Sequence, residues 1–195
     1  MNGPSLRQKT PSHSSAHSPL PPWGSDASWH TVNEKIETAV AQNRRRLDRA
    51  VARARTAGIA LAEIVPILDR LCVQSCPWCP DPCCLKATVW FDFRDLLFLH
   101  INRLPPPDRQ LIGQRDEACR YIGPKGCRLE RFTRPWVCTW YLCPEQKALL
   151  MREPAETQSR FDTAQVTIKS ARKQMEIEFH RILSEIEGSG SLPQC

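Results

Sequence analysis

Of the ten cysteines in this 195-residue chain, eight fall into two tight groups: Cys76, Cys79, Cys83 and Cys84, then Cys119, Cys127, Cys138 and Cys143. Cys76-Pro-Trp-Cys79 is a CxxC turn, and a single reverse turn points both thiolates at one ion. The adjacent pair Cys83-Cys84 is different. Neighbouring side chains diverge, so these two sulfurs are expected to serve different ions or different edges of one cluster. Two sets of four soft donors suit tetrahedral zinc or iron, including an iron–sulfur cluster, and suit oxygen-seeking magnesium or calcium badly.

An even number of cysteines is also the mark of a secreted disulfide framework. The first 29 residues, rich in Ser, Pro and His, contain no apolar run that could serve a secretory signal. No stretch approaches the ~20 consecutive apolar residues that a membrane helix needs. A cytoplasmic protein without a membrane partner is therefore expected, and thiols in a reducing compartment bind metal more often than they pair. The net charge is +6 with the cysteines counted as neutral. Eight ligated thiolates with two divalent ions would bring it to about +2, so nucleic acid is not the expected partner.

The elements that must position these sulfurs are read from periodicity. Residues 1–30 read as a disordered tail, in which His13 and His17 are solvated. Residues 31–71 form an N-terminal helical segment, with Val32, Ile36, Val40, Leu47, Val51 and Ala54 stepping by three and four. Gly58 is expected to end or bend its first helix, and Pro66 to kink or bound a second, Ile59 to Leu71, that leads into the cysteines. Arg44, Arg45, Arg46, Arg49, Arg53 and Arg55 read as a solvated face, partly paired with Glu34, Glu37 and Asp48. Residues 72–145, the cysteine module, carry few regular signals. Thr88 to Phe91 could form a short strand and residues 93–102 a helix, stopped by Pro105-Pro106-Pro107 acting as a rigid connector.

Residues 155–187 carry the longest stripe: Phe161, Ala164, Ile168, Ala171, Met175, Phe179, Ile182 and Ile186. It marks a long C-terminal helix packed on one side. A flexible tail, residues 188–195, follows, with Cys195 as an unligated surface thiol. The matching stripes predict an antiparallel pairing of the two long helical segments, within one chain or as a homodimer or other protein complex. The expected fold is mainly α, with long N- and C-terminal helices packed with a compact, loop-rich metal-binding cysteine module.

Cys119-Arg-Tyr-Ile-Gly-Pro-Lys-Gly-Cys127 followed by Arg134-Pro-Trp-Val-Cys138-Thr-Trp-Tyr-Leu-Cys143 resembles the second half of the YkgJ-like cysteine-cluster family. These are zinc- or iron-chelating proteins with a CxxCxxCC signature. The first half is Cys76-Pro-Trp-Cys79-Pro-Asp-Pro-Cys83-Cys84, with one extra residue between the CxxC and the cysteine pair. Thr139 stands where the family usually has Arg. The resemblance covers about residues 72–145 and implies that the eight cysteines hold metal; the inserted residue makes Cys72 an alternate ligand. Arg134, beside negatively charged thiolates, would stabilise the ligated form, whereas Arg120 reads as an ordinary surface charge. Trp78, Trp136, Trp140 and Tyr141 are expected to form an apolar shell around the site.

Two function classes compete. One is a structural or accessory metal-binding protein, in which the ion staples a region with little core of its own. The other is an iron–sulfur protein with a redox or protein-modification role. Cys72-Val-Gln-Ser-Cys76-Pro-Trp-Cys79 spells the CxxxCxxC of radical S-adenosylmethionine enzymes, but the chain after it is too short for their barrel and has no Gly-Gly-Glu segment. No catalytic constellation emerges: His100 reads as a core or edge histidine, and Asp92 and Asp95 as helix-start or surface residues.

Overall fold

The structure, a computed structural model, describes residues 21–80, 82–115, 117–124 and 126–189, with side chains as far as residue 186. His13, His17, Cys195 and most of both expected tails lie outside the described residues. The protein is mainly helical. In chain order the elements are α1 (Asp26–Gln42), α2 (Asp48–Ser75), α3 (Cys83–Lys86), α4 (Phe93–Asn102), β1 (Ile122–Gly123), β2 (Gly126–Cys127), α5 (Val137–Trp140), α6 (Pro144–Leu150) and α7 (Ala155–Ser189). Short 3-10 turns occupy Cys76–Trp78 and Arg131–Thr133.

The pairing of α2 with α7 is the most extensive contact between elements. Its direction is antiparallel, because Arg46 just before α2 reaches Glu185 near the end of α7 at 3.6 Å, while Arg70 near the end of α2 reaches Glu153 just before α7 at 3.4 Å. Ala50, Ala54, Ala57 and Ala60 supply a smooth buried face on α2, continued by Leu61, Ile64, Ile67, Leu68 and Leu71. Opposite them lie Phe161, Ala164, Ile168, Ala171, Met175, Phe179 and Ile182, the stripe expected from sequence. Each large apolar side chain buried here contributes about 1.5–3 kcal/mol of transfer free energy.

The first helical segment breaks elsewhere than expected. Gly58 and Pro66 both lie inside α2, and the chain turns instead between Gln42 and Asp48. Asn43 ends α1, its backbone and side-chain N–H groups both donating to Ala39 O, and Leu47 plugs the turn into the core. A proline removes one helical hydrogen bond, which packing along the rest of α2 evidently offsets. The expected amino-terminal tail also reaches further into the fold. Ser25 caps α1, and Trp29 is fully buried against Phe91, with its Nε1 donating to Pro107 O at 2.9 Å.

Helix α4 forms where the sequence places it and carries Leu96, Leu97, Leu99 and Ile101 into the core. Asp92 and Asp95 form a capping box at its start. Residues 88–91 form no strand. The buried Gln110 side chain takes the place of a neighbouring strand: its Oε1 accepts from Phe91 N at 2.7 Å and its Nε2 donates to Phe91 O at 3.2 Å. The short strands β1 and β2 pair antiparallel, with Ile122 opposite Cys127. Gly126 adopts φ of 102°, a left-handed conformation open to glycine and strained for other residues.

Candidate metal centre

Four separate stretches deliver the cysteines to one end of the α2–α7 pair. The first is the C-terminal turn of α2. Cys72 and Cys76 are one helical turn apart, so their side chains share a face. The 3-10 turn beyond folds the chain back, with Cys79 N donating to Cys76 O at 3.3 Å. Pro82 and α3 then present Cys83 and Cys84.

The hairpin is the second source, and Cys119 N donates to Cys84 O at 3.0 Å, tying it to α3. Ile122 N donates to Cys119 O, and the pairing of Ile122 with Cys127 brings the two hairpin cysteines to the same end. Cys138 comes from α5 and Cys143 from the start of α6. Cys143 is the N-cap of α6, its sulfur accepting from Gln146 N at 3.5 Å. Gln146 is largely buried, and its Nε2 lies 3.3 Å from Cys72 Sγ and 3.6 Å from Cys76 Sγ. One residue therefore touches three sulfurs drawn from two helices.

The thiols are electrostatically linked. A hydrogen bond from Cys76 is the largest influence holding Cys72 well below the ordinary thiol range, and Arg131 and Arg134 act in the same direction. The same bond, aided by burial, pushes Cys76 upward. Cys83 and Cys84 repeat this division, the first lowered by its neighbour and the second raised by it. Burial raises Cys119. Cys138 is exposed as a residue, yet the protein around its sulfur pushes the thiol upward, with Cys127 and Cys119 adding to the effect. These thiols thus satisfy one another in pairs, and among the described residues no three His, Cys, Asp or Glu side chains converge closely enough to hold an ion. None of the described cysteines is in a disulfide.

Two residues with a direct part in this environment carry no sequence signal of their own. Gln146 is one. Arg131 is the other; its Nε donates to Asp69 at 2.6 Å, and it hydrogen-bonds Cys72. Arg134 is further removed: its Nε donates to Leu129 O at 2.9 Å, and it acts on Cys72 through charge alone. Arg120 pairs with Glu117 at 2.8 Å and takes no part among the sulfurs.

The expected aromatic shell does not close. Trp136 is partly buried and packs on the core, but Trp78 is 83% exposed, and Trp140 and Tyr141 stand about half exposed, edge to face with each other. Val73 and Leu85 beside the thiols are also exposed. The short segments that carry these side chains are too sparse to fold over them, so the aromatics rim the site instead of covering it.

A buried charge cluster joins this region to the helices. Asp95 Oδ1 accepts from Trp136 N at 2.8 Å and from Arg172 Nη2 at 2.8 Å, and Arg172 also reaches Asp92 at 3.1 Å. Burial pushes the Asp95 carboxyl up to about 7 against the pull of Arg172. Elsewhere, His100 lines a cleft of about 770 Å³ between α1 and the end of α4, where its Nε2 meets Asn33 Oδ1 at 2.9 Å and burial lowers its pKa.

No helix among the described residues is long and apolar enough to cross a membrane. No family model, curated protein or solved structure matches this chain.

Proposed function

We propose that this chain is a cytoplasmic metal-binding protein whose cysteine module takes up zinc or iron as a structural or accessory centre. The observation that carries this reading is the convergence at Gln146, whose side-chain and backbone N–H groups meet sulfurs from α2 and from the start of α6. Cysteines far apart in sequence have no packing reason to be drawn to one end of a helix pair with several of them exposed. The donor set fits: thiolates satisfy zinc and iron equally, and the arginine beside Cys72 favours the ionised form that ligation requires. The motif resemblance to the cysteine-cluster family points the same way.

Bound metal would supply cross-links between segments that share little apolar contact, which is a structural task and assigns no catalysis. An iron–sulfur cluster is the second reading, favoured by the N–H donors aimed at sulfur, which are the groups that tune a cluster's potential. Elemental analysis of protein purified without oxygen tests both. Zinc or iron retained at one or more equivalents per chain is expected, with brown colour and absorption near ~400 nm if the iron is in a cluster. Protein that retains neither metal, and binds neither on titration of its reduced thiols, would remove the proposal.

A further inference from the structure

We infer that the cleft between α1 and the end of α4 binds a short unblocked peptide, with its amino group beside Glu34 and Glu37 and its carboxylate between Arg44 and Arg103. The cleft contains no cysteine and stands apart from the metal reading above. Its volume of about 770 Å³ lies within the ~300–1,000 Å³ of ordinary small-ligand sites.

The charged ends come from the order of residues along α1. Glu34, Glu37, Ala41 and Arg44 recur at steps of three and four, so they share one face and line the cleft in the order acid, acid, apolar, base. Arg44 donates to Ile101 O at 2.8 Å, which sets it beside the end of α4. There Arg103, in a left-handed conformation with φ of 57°, adds a second cation to the lining. Among the described residues none of Glu34, Glu37, Arg44 and Arg103 is in an ion pair. Opposite charges that share a cleft and do not pair leave each available to an outside group of opposite sign. Glu34 and Glu37, nearly one turn apart, repel each other, a cost that a bound ammonium group offsets.

Val40 and Ala41 lie between the charged ends on α1, and Leu104, Pro105 and Pro106 add apolar lining from the chain after α4. The wall at His100 is fixed. Buried Asn33 donates through Nδ2 to Trp29 O at 2.9 Å, so its Oδ1 faces His100 and accepts from Nε2. Burial lowers the His100 pKa against the pull of Glu37 and favours the neutral ring, so no imidazolium competes with a peptide amine there. The spacing of the ends sets the ligand's length. Glu37 and Arg44 are seven residues apart, roughly 10 Å at the rise of a helix, and three extended residues span about 10 Å. A free amino acid, with amine and carboxylate on one carbon, is too short to reach both.

The full chain, kept reduced, is titrated by calorimetry with the tripeptide Ala-Leu-Ala, and in parallel with its N-acetylated and its C-amidated forms. One saturable site per chain is expected, and each blocked form should bind at least about tenfold more weakly, because each loses a charged partner. Glu37→Gln should weaken the free peptide by a similar factor and leave the affinity for the N-acetylated form unchanged. Arg103→Gln should also weaken the free peptide and leave the affinity for the amide unchanged. Both side chains are exposed, and an unchanged thermal melt verifies that the variants fold. No saturable binding, equal affinity for free and blocked peptides, or full affinity in the folded variants would overturn the proposal while leaving the metal reading intact.

Discussion

The two ends of this molecule are held together by different physics. Along α2 and α7 almost every inward position is apolar and buried, and the ion pairs at Arg46 and Arg70 decorate a packing that periodicity already specifies. Around the thiols, the buried side chains are few and small, and large apolar groups such as Trp78 point outward. There the segments are joined by single backbone hydrogen bonds, as from Cys119 to Cys84, and by contacts to sulfur. One half is stable because it excludes water; the other has little apolar packing of its own.

Chelation separates the halves most sharply. Removing metal from the purified protein is expected to abolish amide-exchange protection across residues 119–140 while α2 and α7 keep theirs. A structural zinc site contributes about 10–16 kcal/mol of apparent binding free energy, so the loss should be large. Unchanged exchange after verified metal removal would show that the module stands on its own packing. The converse perturbation is Phe161→Ala, which empties a fully buried site in the helix pair. It should cost about 3–5 kcal/mol of global stability by thermal or denaturant melt and leave metal content per folded chain unchanged. Loss of metal in the folded variant would mean the halves are not separable.

The third test addresses the joint between them. Arg172→Met removes the cation facing buried Asp95 and should cost about 3 kcal/mol at pH 8, where the carboxylate is left ionised and uncompensated. Because the folded-state pKa of Asp95 is raised to about 7, its contribution to wild-type stability is fully present below the ordinary carboxylate range and is lost as the pH rises through that value. The variant's deficit should therefore shrink at pH 5, where Asp95 takes up a proton. Melts showing equal deficits at pH 5 and pH 8 would contradict this account.

What could be read from residue order follows the same division. The stripes on α2 and α7, the antiparallel pairing and the bounds of α4 are local patterns that burial then honours. The break at Asn43 to Leu47 was hidden because Gly58 and Pro66 are stronger local signals, yet tertiary packing overrides both inside α2. Residues 88–91 have strand character, but their partner is the side chain of Gln110, which no strand pattern announces. In the module, motif spacing singles out the cysteines on which the proposed function rests. It did not identify Gln146 or Arg131, since an ordinary glutamine and an ordinary arginine acquire their roles only when α6 and the turn at Arg131–Thr133 fold against Cys72.

The carboxylate shared by Trp136 and Arg172 sets a boundary condition on the evolution of this architecture. A segment cut at the edges of its cysteine motif would carry Asp95 away with α4 and abandon the guanidinium in α7. Sequence shuffling could transplant the motif, yet the transplanted piece would arrive with an orphaned acid and its leucine-rich helix unsheltered. Inheritance of this site should therefore travel with both long helices as a single unit.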